Sequence, residues 1–171
     1  MRKRNHFKTN LKRFKIVRIS KPDLKFFVGE SITGNDAIDQ ASARPDFMIL
    51  IYPVISISES FTHGGSAEAL LGKNAPAEML QKLSNDKQVT ADTPPTFLVH
   101  TNEDTDVPAE NSIYFYLALR KAKVPAEMHI YQKGAHGLGL GKKGTPFSTW
   151  PDRCADWLAQ MGFCNRQGIG K

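Results

Sequence analysis

Pro94-Pro95-Thr96-Phe97-Leu98-Val99-His100-Thr101-Asn102-Glu103-Asp104-Thr105-Asp106-Val107-Pro108 is the stretch on which the fold turns. Two prolines open it. Thr96 to His100 then makes an apolar run of strand length, the pattern of a strand covered on both faces as in a parallel sheet. An acid-rich loop follows. Pro108 marks a helix start, because its missing N–H and fixed φ suit the first turn. The spacing predicts a helix over 108–123, with Ile113, Tyr116, Leu117 and Arg120 along one side. Ala126-Glu127-Met128-His129-Ile130-Tyr131 is then the next strand.

Upstream, Phe47-Met48-Ile49-Leu50-Ile51-Tyr52 is a second continuous apolar run, ended by Pro53. Ser56 to Gly65 is polar and rich in turn residues. Two short helices are predicted at 66–71 and 75–83, with Ser66 capping the first and Pro76 near the start of the second. Downstream, a helix over 151–161 carries Cys154, Trp157 and Leu158 on one stripe, and Gly162 supplies its stop. Residues 1–45 read less sharply. Short strands at 14–19 and 24–28, a turn at Gly34-Asn35-Asp36 and a helix or loop over 37–43 are the expectations there. Strand, helix, strand, helix is the rhythm of a parallel sheet with crossover helices, so the fold class is α/β.

Composition fits a single globular domain. The 171 residues are 40% hydrophobic and 23% charged, and no apolar run approaches the ~18 residues of a membrane-spanning helix. The net charge of +6 is unevenly spread: residues 1–25 hold ten Lys and Arg against the single acid Asp23, while the remainder is net acidic. A basic arm can neutralise phosphates, but no nucleic-acid recognition motif accompanies it, so the plainer expectation is a solvated tail or a segment foreign to the fold. No signal-peptide apolar core follows the basic start, and the only two cysteines, Cys154 and Cys164, have no zinc spacing. A reduced, cytoplasmic protein is the default expectation, with pairing of the two thiols left open. With neither ligand-spaced His and Cys nor a glycine-rich phosphate loop, no metal or organic cofactor is implied.

In open parallel sheets, functional groups collect beyond the C-terminal ends of the strands. Two such loops stand out. One, after His100, holds Glu103, Asp104 and Asp106. The other, Gln132-Lys133-Gly134-Ala135-His136-Gly137-Leu138-Gly139, holds a single histidine among glycines. One helix and one strand separate Asp104 from His136, so parallel packing carries both to the same rim. A carboxylate that accepts the imidazole Nδ1–H fixes the tautomer of a general base and stabilises its imidazolium. Taken alone, each residue also has an ordinary role: an Asp there caps a helix more often than it catalyses, and a lone His near glycines is usually a surface group.

At these residues the chain resembles a known family. Pro94 to His100, Asp104, Val107-Pro108 and Asn111-Ser112 look like the acid-bearing segment of α/β-hydrolase esterases. The stretch Leu119 to Glu127 and then Gly134-Ala135-His136-Gly137 is similar to the approach to their catalytic histidine. Arg44-Pro45-Asp46-Phe47, Ile51-Tyr52-Pro53-Val54 and Thr62-His63-Gly64 through Leu70-Leu71-Gly72 match in the same order. The resemblance is to the acetyl-xylan-esterase-like and dienelactone-hydrolase-like group, related to the prolyl oligopeptidase catalytic domain, and it covers about Gly34 to Gly162. It implies a partial α/β-hydrolase fold, with the N-terminal half reduced or missing. The implied domain organisation is an arm over 1–33, a hydrolase portion over 34–162 and a tail over 163–171. It also implies that Asp104 is the triad acid and His136 the base, with Asp106 the competitor for the acid role. Glu103 and Asp106 are then solvated loop acids, and His63 and His100 are structural.

The nucleophile is the gap in this pattern. Such hydrolases carry it in a Gly-x-Ser-x-Gly elbow, and that motif occurs nowhere in the sequence. Ser31, in Gly29-Glu30-Ser31-Ile32-Thr33-Gly34, comes nearest. Two features count against it: β-branched Ile32 crowds the oxyanion position, and too few residues precede the next strand for an elbow helix and its connection. Ser66 and Ser112 lie outside any strand–turn–helix context. The expectation is therefore an ester-hydrolase lineage acting on a small ester or carbohydrate ester, weak or inactive in this chain. The alternative is a non-catalytic interaction module that uses the basic arm and an open sheet edge. A half-sheet also leaves a free strand edge, which favours association with a second copy or a partner chain.

Overall fold

The computed structural model describes residues 44–164. The arm, the strands expected at 14–19 and 24–28, the turn and helix expected over 34–43, and Ser31 lie outside the described residues. The elements are β1 (Met48–Ile51), α1 (Gly64–Leu71), α2 (Ala77–Lys82), β2 (Thr96–Thr101), α3 (Glu110–Lys121), β3 (Ala126–Tyr131) and α4 (Trp150–Gln160). Short 3-10 turns sit at Asn85–Lys87 and Pro146–Thr149. The strands form a three-stranded sheet in the order β1-β2-β3. Both pairings are parallel, with Met48 opposite Thr96 and Thr96 opposite Ala126. The molecule is α/β, as the strand–helix rhythm predicts.

β2 is buried along its whole length because both of its faces are covered. On one face Phe97 and Val99 pack with Phe47, Phe147, Trp150, Cys154 and Trp157, so α4 lies there. On the other, Leu98 packs with Met48, Leu50, Ile55, Phe115, Leu119 and Val124, so α3 covers it. Phe97, Leu98, Val99 and Leu119 are all 0% exposed. Each such side chain withdraws enough apolar surface to contribute about 1.5–3 kcal/mol.

Both long helices end in the same way. Past α3, Lys123 adopts a left-handed φ of 59°, and the Val124 N–H donates to Leu119 O at 2.9 Å while Val124 and Leu119 pack together. Past α4, Gly162 takes φ 74° and the Phe163 N–H donates to Leu158 O at 2.9 Å. Glycine suits this position, as expected for Gly162; lysine is held there by the apolar contact beneath it.

Two expectations require correction. The buried side of α3 is Asn111, Ser112, Phe115 and Leu119, while Leu117 is 53% exposed and Arg120 is exposed. The helix is turned so that two polar residues enter the core, because Asn111 satisfies backbone groups of the neighbouring loops and the Ser112 hydroxyl pairs with the buried ring of His100. Asn111 Oδ1 accepts the N–H groups of Ile55 and Ser56, and its Nδ2 donates to the carbonyls of Phe61 and Pro108. This uses the whole bonding capacity of the amide and pins the loop after β1. The second correction concerns α1, which starts at Gly64. Its cap is His63, whose Nδ1 accepts the Ser66 N–H at 3.1 Å; Ser66 lies inside the first turn, its Oγ 2.8 Å from the same nitrogen.

Candidate active site

The β2–α3 loop and the β3–α4 loop meet at the C-terminal rim of the sheet. Asp104 is 4% exposed. Its Oδ1 accepts the backbone N–H groups of Asp106 and Val107 at 3.1 and 2.9 Å. This local turn is the ordinary occupation of an acid before a helix, and it consumes one carboxylate oxygen. The other, Oδ2, lies 2.8 Å from His136 Nδ1. An ionised carboxylate can only accept, so Nδ1 carries the proton and Nε2 of the neutral ring keeps its lone pair. The imidazole side chain is 32% exposed, so it opens toward solvent on a fully covered acid.

His100, at the end of β2, is 0% exposed directly beneath Asp104. Its Nε2 is 2.8 Å from Val107 O, and its Nδ1 is 2.8 Å from Ser112 Oγ on α3. Burial lowers its pKa, against the opposing pull of the Val107 carbonyl and Asp104. The ring is therefore neutral near pH 7. A carbonyl cannot donate, so Nε2 carries the proton and Nδ1 accepts from Ser112. Although Nε2 comes within 3.5 Å of Asp104 Oδ2, this is no ion pair.

The histidine loop is tied down at four points. Thr101 Oγ1 donates to Gly134 O at 2.7 Å, and the Gly134 N–H donates to Glu103 Oε2 at 3.1 Å. Beyond the histidine, the Gly139 N–H donates to the Tyr52 hydroxyl at 2.9 Å, and Trp150 Nε1 donates to Gly139 O at 3.1 Å. Gly134 has φ 142° and faces Thr101 and Leu138 so closely that no Cβ fits without displacement. A glycine is required there for space and for backbone freedom. Tyr52 also sets its ring edge-on to His136, with centroids 4.7 Å apart.

Of the residues singled out by sequence, Asp104 and His136 are brought into contact. Asp106 is exposed and reaches Asp104 only through its backbone N–H. Glu103 is exposed too, yet it is more than a solvated acid, since its carboxylate holds Gly134. Ser112 bonds His100 within the core, and His63 caps α1. Among the described residues, no hydroxyl is hydrogen-bonded to His136 Nε2. The unforeseen participants are Tyr52, Thr101 and Trp150. Tyr52 is a left-handed residue, φ 39°, at the strand end before Pro53, and an aromatic closing a buried strand just before a proline is the one signal that marks it.

Among the described residues, no helix is long and apolar enough to cross a membrane. Residues 49–163 match the model of the prolyl oligopeptidase family. Endo-1,4-beta-xylanase B of Butyrivibrio fibrisolvens is 44% identical over 109 residues, which are 64% of this chain and 17% of that protein. The acetylxylan esterase of Xylanibacter ruminicola is 37% identical over 102 residues, 57% of this chain and 21% of the relative. An acetyl ester-xyloside bifunctional hydrolase from Caldicellulosiruptor lactoaceticus superposes with a TM-score of 0.74 at 43% identity, covering 78% of this chain and 48% of that one. The chain thus spans about a fifth of the length of the curated relatives and about half of the solved one. Parallel sheet, loop placement and sequence agree: the chain has an α/β-hydrolase fold and belongs to the prolyl oligopeptidase family.

Proposed function

We propose that Asp104 and His136 are the acid and the general base of a serine ester hydrolase acting on acetyl esters of sugars. The observation that carries the reading is the 2.8 Å contact of a buried Asp104 Oδ2 with Nδ1 of a part-exposed imidazole. That contact leaves His136 Nε2 as a base aimed away from the acid. In such a reaction Nε2 takes the proton of a serine hydroxyl as the oxygen attacks the ester carbonyl. The imidazolium, stabilised by Asp104, returns the proton to the departing sugar oxygen. Water then repeats the sequence on the acyl-enzyme and releases acetate. No metal or organic cofactor enters these steps. The substrate class is supported by what the relatives are named for: acetylxylan in one case, an acetyl ester and a xyloside in another.

Within this reading residues 34–162 are the hydrolase portion, residues 1–33 a basic arm and 163–171 a tail. The sequence has no Gly-x-Ser-x-Gly, and Ser31 is its nearest approach. Weak or absent turnover is therefore expected of this chain by itself. Fluorophosphonate labelling of the full chain, followed by hydrolysis of an aryl acetate and of acetylated xylo-oligosaccharides, tests the reading. Label on Ser31 that disappears in both Ser31→Ala and His136→Ala would place a working triad within the chain. An unlabelled chain, with acetate release that does not depend on His136, would contradict the assigned base.

A further inference from the structure

We infer that His100 is a positioning residue, whose Nε2–H holds the Val107 peptide so that Asp104 presents Oδ2 to His136. The inference rests on the reading of Asp104 as the partner that orients His136, and adds a residue behind it.

The chain of contacts is continuous. Asp104 is directed by the Val107 N–H, which donates to Oδ1 at 2.9 Å. The carbonyl of the same residue faces His100 Nε2 at 2.8 Å. Val107 is thus held at both polar ends, by the acid on one side and the imidazole on the other. His100 is in turn held by Ser112 Oγ at 2.8 Å, on the polar side that α3 turns into the core. End of β2, acid loop and start of α3 are joined through one ring. Rotation of that ring would free the Val107 carbonyl, loosen the turn about Oδ1 and let the carboxylate swing.

A histidine that merely fills space would be replaceable by an apolar side chain of similar volume. Here such a replacement strands the Val107 carbonyl and the Ser112 hydroxyl, both buried, and a buried polar group without a partner is costly. Neutrality matters as well. Nε2 lies 3.5 Å from Asp104 Oδ2, and a cation at that distance would compete with His136 for the carboxylate. Burial keeps His100 uncharged, leaving the negative charge of Asp104 to the exposed imidazole.

The test uses the full chain and follows the Nδ1 proton of His136 by NMR, together with the melting temperature. Glutamine can place an N–H where His100 has Nε2; asparagine reaches only the Nδ1 position. In His100→Asn, the His136 Nδ1 proton should exchange with solvent about tenfold faster, the weight of one hydrogen bond. His100→Gln should restore slow exchange. Should His100→Asn fail to fold, Ser112→Ala replaces it, with exchange again expected to quicken because the ring has lost its anchor. Equal exchange rates in the folded variants and the unaltered chain, with only the melting temperature lowered, would overturn the inference. An unaltered chain that shows no Nδ1 proton on His136 would instead overturn the Asp104–His136 reading itself.

Discussion

The acid end and the imidazole end of the site are held by opposite means. Asp104 is gripped at its side chain: it is 4% exposed, with both oxygens engaged and His100 beneath it. His136 has one side-chain hydrogen bond among the described residues and a side chain 32% exposed; the backbone around it is what is fixed, through Thr101, Glu103, Tyr52 and Trp150. A group that must keep one orientation is buried and bonded directly. A group that, in the proposed reaction, exchanges protons with an incoming hydroxyl keeps a free face and is steadied through its loop. On the proposed roles, stability resides mostly at the acid and chemistry mostly at the imidazole.

The sharpest way to break this contrast is Asp104→Ala. The change leaves the buried Val107 N–H, the part-buried Asp106 N–H and His136 without their acceptor. Urea unfolding of the full chain should show a loss of about 3 kcal/mol; a loss below about 1 kcal/mol would mean that the turn is held without the carboxylate. Gly134→Ala attacks the other end through the backbone. At φ 142°, with a Cβ placed 3.0 Å from Thr101 Cγ2 and 2.5 Å from the movable tip of Leu138, it should cost about 2 kcal/mol. Unchanged stability would show that the histidine loop is freer than its anchors suggest.

Acid sharpens the comparison next. The folded-state pKa of His100 is lowered by burial from the ordinary 6.5. Below that value the unfolded chain takes up a proton that the folded chain refuses. Stability is thus full above pH 6.5 and declines as pH falls through it, by at most about 1.4 kcal/mol per pH unit. In His100→Gln that part of the acid sensitivity should vanish from melting curves run between neutral and mildly acidic pH. Tyr52→Phe keeps the ring against His136 and removes only the hydroxyl that accepts the Gly139 N–H, so a loss of about 0.5–1 kcal/mol is expected. The smallest effect on stability belongs to His136→Ala, about 0.5 kcal/mol, because water entering the place of the part-exposed ring can take over its bond to Asp104 Oδ2, although any hydrolysis or fluorophosphonate reactivity should disappear with it.

Much of this arrangement is legible before any coordinates. Met48–Ile51 and Thr96–Thr101 announce themselves because strands covered by helices on both sides need mostly apolar runs, while in Ala126–Tyr131, half-buried at the edge of the described sheet, Ala126, Met128 and Ile130 alternate with Glu127 and His129. Asp104 and His136 stand out because parallel connections return the two loops to one rim, and because the surrounding motifs resemble esterases. Periodicity fails where the core is polar. The buried face of α3 contains Asn111 and Ser112, which no hydrophobic pattern can find, since Asn111 is placed by carbonyls and amides some 50 residues away in sequence and Ser112 by the ring of His100. Tyr52 is hidden for a similar reason: its partner Gly139 is 87 positions distant. Contacts of that span depend on the finished packing rather than on any local preference.

One measurement bears most directly on the Asp104–His136 pair. Nitrogen-15 NMR of the full chain, correlating the ring nitrogens of His136 with its carbon-bound protons at neutral to mildly alkaline pH, reports which nitrogen holds the proton. The account predicts Nδ1–H with a bare Nε2, reverting toward Nε2–H in Asp104→Ala. A His136 that is already predominantly Nε2–H in the unaltered chain, and indifferent to the loss of Asp104, would contradict it.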